Sequence, residues 1–144
     1  MIRKTGGLAI AGVLAAFAGH TAQAQAAIDW AAAETAFEEN RASGNTPPRG
    51  KGAARCAGYW VTHVGALTRG EFPQAALDVL DPELTSKDEA GLNAIVFSQR
   101  FTEVRDYTEA KAEAEALLPR VVSGEGNAIR DYFRQLGRCS AGPA

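Results

Sequence analysis

Histidine, methionine and cysteine are scarce in this chain of 144 residues: two, one and two of them. Only His63 lies beyond the first 24 residues. One imidazole cannot assemble a zinc or copper site if both cysteines are oxidised. The acidic residues lack the spacing of a calcium loop. There is no C-x-x-C for thiol exchange, no C-x-x-C-H for haem, no glycine-rich phosphate loop and no G-x-S-x-G. No metal and no cofactor is therefore expected. The β-branched alternation of strands is nowhere sustained. Neither sign of charge dominates, with 15 basic against 17 acidic residues scattered along the chain. Without a basic face, nucleic acid is not an expected partner.

Long apolar runs are missing too. The longest, Leu8 to Ala18, covers about half of what a bilayer span needs. It follows Arg3 and Lys4 and precedes Ala22-Gln23-Ala24, which puts small residues where a signal peptidase reads. Residues 1–24 read as a secretory signal peptide of bacterial style, in preference to an uncleaved membrane anchor. No cysteine follows the run to carry a lipid. Cleavage removes Arg3 and Lys4, leaving 13 basic and 17 acidic residues and a net charge of −4. About 120 residues remain, enough for one domain over 27–139, with 140–144 as a disordered tail. No integral membrane segment is expected in the mature chain, and its location is periplasmic or secreted.

Cys56 and Cys139 are an even pair in an exported chain, which reads as a disulfide rather than as free thiols or an intermolecular bond. It would close a ring of about 84 residues and contribute on the order of 4.5 kcal/mol by the chain-entropy model. The functional alternative pairs a Cys56 thiolate with His63 as base. Seven helical residues separate them by roughly 10 Å, too far for that hydrogen bond.

Apolar residues recur at threes and fours, and alanine is frequent, so the domain reads as all-α: a small, disulfide-stapled bundle of five or six helices. The first helix spans Trp30 to Arg41 with Asp29 as N-cap, burying Trp30, Ala33 and Phe37. Residues 42–52, with two prolines and three glycines, form a loop. Its cations Arg49 and Lys51, with Arg55 just beyond, either bind an acidic partner or simply face water. The second helix, Ala53 to Thr68, turns Cys56, Trp60, Val64 and Leu67 inward and leaves Thr62 outside. A short helix, Pro73 to Leu80, is stopped by Pro82. Ser86 with Glu89, or Thr85 with Asp88, caps the next helix. Ala90, Ala94 and Phe97, widened by Leu92, Ile95 and Val96, mark it as the central, most buried one. Asp106 and Glu109 suggest a break near 106 rather than one long rod over 86–118. Pro119 falls near the end of the helix that follows, and 121–127 read as a loop. The last helix, Asn127 to Leu136, is stopped by Gly137.

Two stretches echo at an offset of 35. Gly70, Phe72 and Ala75 match Arg105, Tyr107 and Ala110. An aromatic residue three before a helix-opening alanine resembles the middle of a tetratricopeptide repeat, over Tyr59 to Pro82 and Ala94 to Val122. The resemblance implies an alternative fold of degenerate helical hairpins. Arg105 replaces the glycine, and Thr62 and Ala66 stand at positions that are large and apolar in the repeat.

Size, compartment and missing catalytic sets lead to an expectation: an exported, non-catalytic interaction protein of the bacterial cell envelope. An adaptor, an inhibitor or immunity protein, or a chaperone would fit, each with another envelope protein as partner. The alternative is a carrier of a small apolar ligand, in an inter-helix pocket lined by Trp60, Phe97, Phe101, Tyr132 and Phe133. A hydrolase would need His63 beside a carboxylate. The i, i+4 pairs Glu34/Glu38 and Glu109/Glu113 are the other acid candidates, and both read as solvated faces.

Overall fold

A computed structural model of the chain describes residues 27–41 and 48–140. Residues 1–26, with the proposed signal peptide, residues 42–47 of the 42–52 loop and the last four residues lie outside them. The described residues form an all-α bundle of five long helices and two of four residues each: α1 (Trp30–Arg41), α2 (Lys51–Arg69), α3 (Gln74–Leu77), α4 (Pro82–Thr85), α5 (Lys87–Ser98), α6 (Val104–Val122) and α7 (Gly126–Arg138).

The central element is α2, not α5. It packs against α5, α6 and α7. Its small residues let neighbours approach from several sides. Ala53, Ala54, Ala57, Gly58 and Ala66 are buried along with Cys56, Tyr59 and Trp60. At Gly58 an added methyl would lie 2.7 Å from the Lys111 amide nitrogen of α6. Thr62, expected outside, is buried because its hydroxyl donates to the Gly58 carbonyl at 2.9 Å and so carries no unpaired group inward. By contrast α5 turns only Ala90, Asn93, Ala94 and Phe97 inward. Asn93 fits because its amide donates to Glu83 at 2.6 Å.

Local signals account for several helix ends. Asp29 accepts from the Ala32 amide at 3.0 Å. Ser86 accepts from the Glu89 amide at 3.3 Å. Gly70 closes α2 in the left-handed conformation, φ +65°, which favours glycine. The break between α5 and α6 falls at 99–103, ahead of the expected position near 106. Pro82 both ends one segment and starts another. Asp81 accepts from the Glu83 amide at 2.8 Å, and proline suits a first helical position. Pro119 lies in the last turn of α6, which runs on through Val121 and Val122. These two four-residue helices replace the second helix of the first repeat-like unit.

Gly137 does not stop α7, which continues to Arg138. It lies where α7 meets α1, and a methyl there would sit 2.3 Å from the Phe37 carbonyl oxygen. Cys139 follows and bonds to Cys56, with the sulfurs 2.04 Å apart and both residues buried. The Trp60 indole N–H donates to the Cys139 carbonyl at 2.7 Å, so the aromatic ring and the staple share one site. Ser140, expected in the tail, is half-buried and donates to Glu83 at 2.7 Å.

Replacing both cysteines by alanine is expected to lower unfolding free energy by about 3–4 kcal/mol in a urea titration, with helix content retained. Gly137→Ala should cost about 2–3 kcal/mol, because the obstacle is backbone and cannot rotate away. Gly91→Ala, where nothing lies within 4 Å of the added methyl, should instead stabilise by up to about 1 kcal/mol.

Candidate functional site

Because the middle of α2 is buried on most sides, Cys56, Trp60 and His63 are interior. His63 is fully buried. Its Nε2–H donates to the Leu84 carbonyl at 2.7 Å, which leaves Nδ1 to accept from the Tyr132 hydroxyl at 3.3 Å. The rings of Trp60, Phe72, Tyr132 and Phe133 surround it, with centroids 5.1–6.2 Å away. Burial pushes its pKa down to about 4, with the Leu84 hydrogen bond opposing the shift. No carboxylate is among its hydrogen-bond partners. The imidazole is a neutral bridge that ties α2 to α4 and α7.

The aromatic set read as a pocket lining does not converge on a cavity. Trp60, Tyr132 and Phe133 are packed together in the core with His63. Phe97 is buried on α5 under the Arg100 guanidinium, 5.6 Å from its centroid. Phe101 is half-buried and stacks on Tyr107 at 5.6 Å and 13°.

The basic cluster also divides. Arg49 and Lys51 are exposed at the start of α2, where the Gly50 amide is tethered to the Arg100 carbonyl at 3.0 Å. Arg55 forks onto Glu113 of α6 at 2.8 and 2.5 Å and lies over the Tyr59 ring. The Tyr59 hydroxyl donates to the same carboxylate at 2.8 Å. The Arg55 hydrogen bond holds the Glu113 carboxyl below the usual range, and burial raises the Tyr59 phenol.

The carboxylate pairs have internal partners rather than a shared cleft. Glu109 pairs with Arg105 at 2.8 Å. Glu34 accepts from the Asp81 amide at 2.8 Å, and burial raises its pKa. Glu34, Glu38 and Asp81 bring carboxylate oxygens within 4.8 Å of one another. Their counter-charge is already present. Arg41 reaches Glu38, Glu83 at 3.1 Å and Asp81 at 3.4 Å, latching α1 to α4.

What this packing leaves uncovered is the outer face of α5. Leu92 is 62% and Ile95 56% exposed, three residues apart and hence on one side of the helix. Val96 beside them is half-buried, and Val104 at the start of α6 is 68% exposed. Of the stripe that suggested deep burial in the sequence, Ala90, Ala94 and Phe97 are inside, while Leu92 and Ile95, which widened it, face water. No known protein family, curated protein or solved structure matches this chain. Among the described residues no helix is long and apolar enough to cross a membrane.

The buried imidazole makes stability depend on pH with a definite sign. The folded state keeps His63 neutral down to about 4, whereas the unfolded chain binds a proton below about 6.5. Stability from this group is therefore fully present above about 6.5 and falls between 6.5 and 4, by on the order of 3 kcal/mol. Urea midpoints of wild type and His63→Gln, measured across pH 4–7, should differ by a step confined to that window.

Proposed function

We propose that the mature chain is an exported, non-catalytic binding protein of the bacterial cell envelope, which seats a protein partner on the outer face of α5. The observation that carries this reading is the exposure of Leu92 and Ile95 on one helical side. A helix apolar on both faces is normally covered on both. Here α2 covers one face, and the other is free for association, which apolar burial drives.

Export is supported by the leader-like N-terminus together with the disulfide, a bond that persists in oxidising compartments. A non-catalytic role is supported by the position of His63, sealed in the core and hydrogen-bonded to a carbonyl and a phenol. A protein partner is favoured over an apolar small molecule because Trp60, Tyr132 and Phe133 fill the space a ligand would need. The face on α5 is aliphatic rather than aromatic, so its contacts should be broad and shallow. Adaptor, inhibitor or immunity protein, and chaperone remain the forms such a function would take.

Leu92→Asp/Ile95→Asp provides the test. Both sites are exposed, so the variant should melt with the wild type. Oxidised wild-type protein should retain a specific envelope protein from extract of the source cells, identified by mass. The double variant should bind that purified partner at least about tenfold more weakly. Equal binding by the two would refute the assignment to α5.

A further inference from the structure

A second surface, to which no residue of α5 contributes, has the opposite chemistry. The helices α2, α6 and α7 enclose an open cleft of about 490 Å³. Four arginines line it: Arg55 from α2, Arg120 from α6, and Arg134 and Arg138 from α7. Two acids, Glu113 and Asp131, lie among them. Four cations against two anions is a local excess opposite in sign to the chain as a whole, whose net charge is −2. Such a patch is felt within about a Debye length, roughly 10 Å at moderate salt.

The four cations are not equally occupied. Arg55 is taken by Glu113, and Arg120 by Glu125. Among the described residues, Arg134 pairs with Asp131, at 3.6 Å. Arg138 meets an amide oxygen, that of Asn40, at 3.3 Å. Arg130, one turn earlier on α7, donates to the Asn127 amide oxygen at 2.5 Å. Arg130, Arg134 and Arg138 thus form a ridge at four-residue steps, with one weakly placed carboxylate for three guanidinium groups. Arg130 and Arg134 also line a second cleft of about 390 Å³, between α7 and α1, which carries Asp29 and Glu39 and so sets the acidic limit of the strip on that side.

The spacing selects the ligand. Four helical residues advance about 6 Å. Alternate residues of an extended peptide advance about 6.6 Å, with side chains on one side. Carboxylates at every second position would therefore keep register with the ridge over three arginines. The cleft already shows how it holds a carboxylate. Glu113 takes both prongs of Arg55 and the Tyr59 hydroxyl, the planar fork geometry that suits this group. Leu117 and Ala116 add an apolar floor for the intervening side chains.

We propose that the Arg130–Arg134–Arg138 ridge and its cleft bind an extended acidic peptide segment of a partner protein, with carboxylates at alternating positions. The site goes beyond the α5 reading and does not depend on it. Glu113 acts there as an internal competitor that keeps Arg55 occupied until the ligand arrives.

The probe is the acetylated, amidated peptide Glu-Ala-Glu-Ala-Glu, titrated into the oxidised chain at low ionic strength and followed by amide chemical shifts. Saturable shifts are expected at residues of α7 and the facing turn of α6, weakening as salt rises. The isomer Glu-Glu-Glu-Ala-Ala should bind several-fold more weakly, and Gln-Ala-Gln-Ala-Gln should not bind. Arg134→Ala/Arg138→Ala should weaken binding at least about tenfold with an unchanged melting temperature. Glu113→Gln should tighten it. The proposal is overturned if the arginine variant binds as the wild type does, or if the two glutamate isomers bind alike. It is also overturned if phosphatidylglycerol vesicles shift these amides while the peptide does not.

Discussion

The bond between Cys56 and Cys139 holds together a sequence of dependencies. It fixes the end of α7 to the start of α2, and every other long helix is packed against one of those two. The first helix reaches the rest of the molecule chiefly through α7. The helices α5 and α6 reach it through α2. Trp60 closes the junction by donating to the carbonyl of the half-cystine itself. His63, one turn further along α2, then joins α4 and α7 through a single neutral ring. Covalent, aromatic and hydrogen-bonded ties thus converge on one face of one helix. A domain of this size has a net stability of only about 5–15 kcal/mol, so a crosslink worth several of those sets the scale for everything attached to it.

Much of this was legible in the sequence where the signal was local. Asp29 and Ser86 announce helix starts by a side chain that reaches three residues ahead, and both do so in the structure. The range Trp30 to Arg41 follows from periodicity and a cap. The cysteine pairing follows from count and compartment. What failed was burial inferred from residue size. Leu92 and Ile95 look like core residues and face water, whereas Ala53, Ala57 and Gly58 are buried because small side chains allow backbones to approach. Thr62 looks like surface, and it is buried with a partner supplied by the fold, a carbonyl one turn back. Gly137 looks like a helix stop, and its true constraint is the carbonyl of Phe37, a hundred residues earlier. Hydropathy and periodicity carry no information about such distant partners.

The candidate sites divide along the same line. Arg55 was singled out for charge, and the structure places it at the rim of a cleft with three further arginines, none of them adjacent in sequence. The aromatic residues were singled out for size, and most of them are structural. The proposed pair of surfaces, one aliphatic on α5 and one cationic along α7, would give a small protein two chemically distinct handles.

The position of the ring within the chain has a further consequence. Residues 56 to 139 are closed by the sulfur bridge, and α1 lies outside it. A backbone cut anywhere inside the circuit leaves two pieces still joined, migrating as one species until a reductant is added. A cut between α1 and α2 leaves the first helix held by packing alone, and its loss would uncover the groove along α7 where Phe37 had rested. Protease accessibility ahead of the ring and within it would thus have opposite meanings: the one removes a covering element, and the other leaves the particle whole.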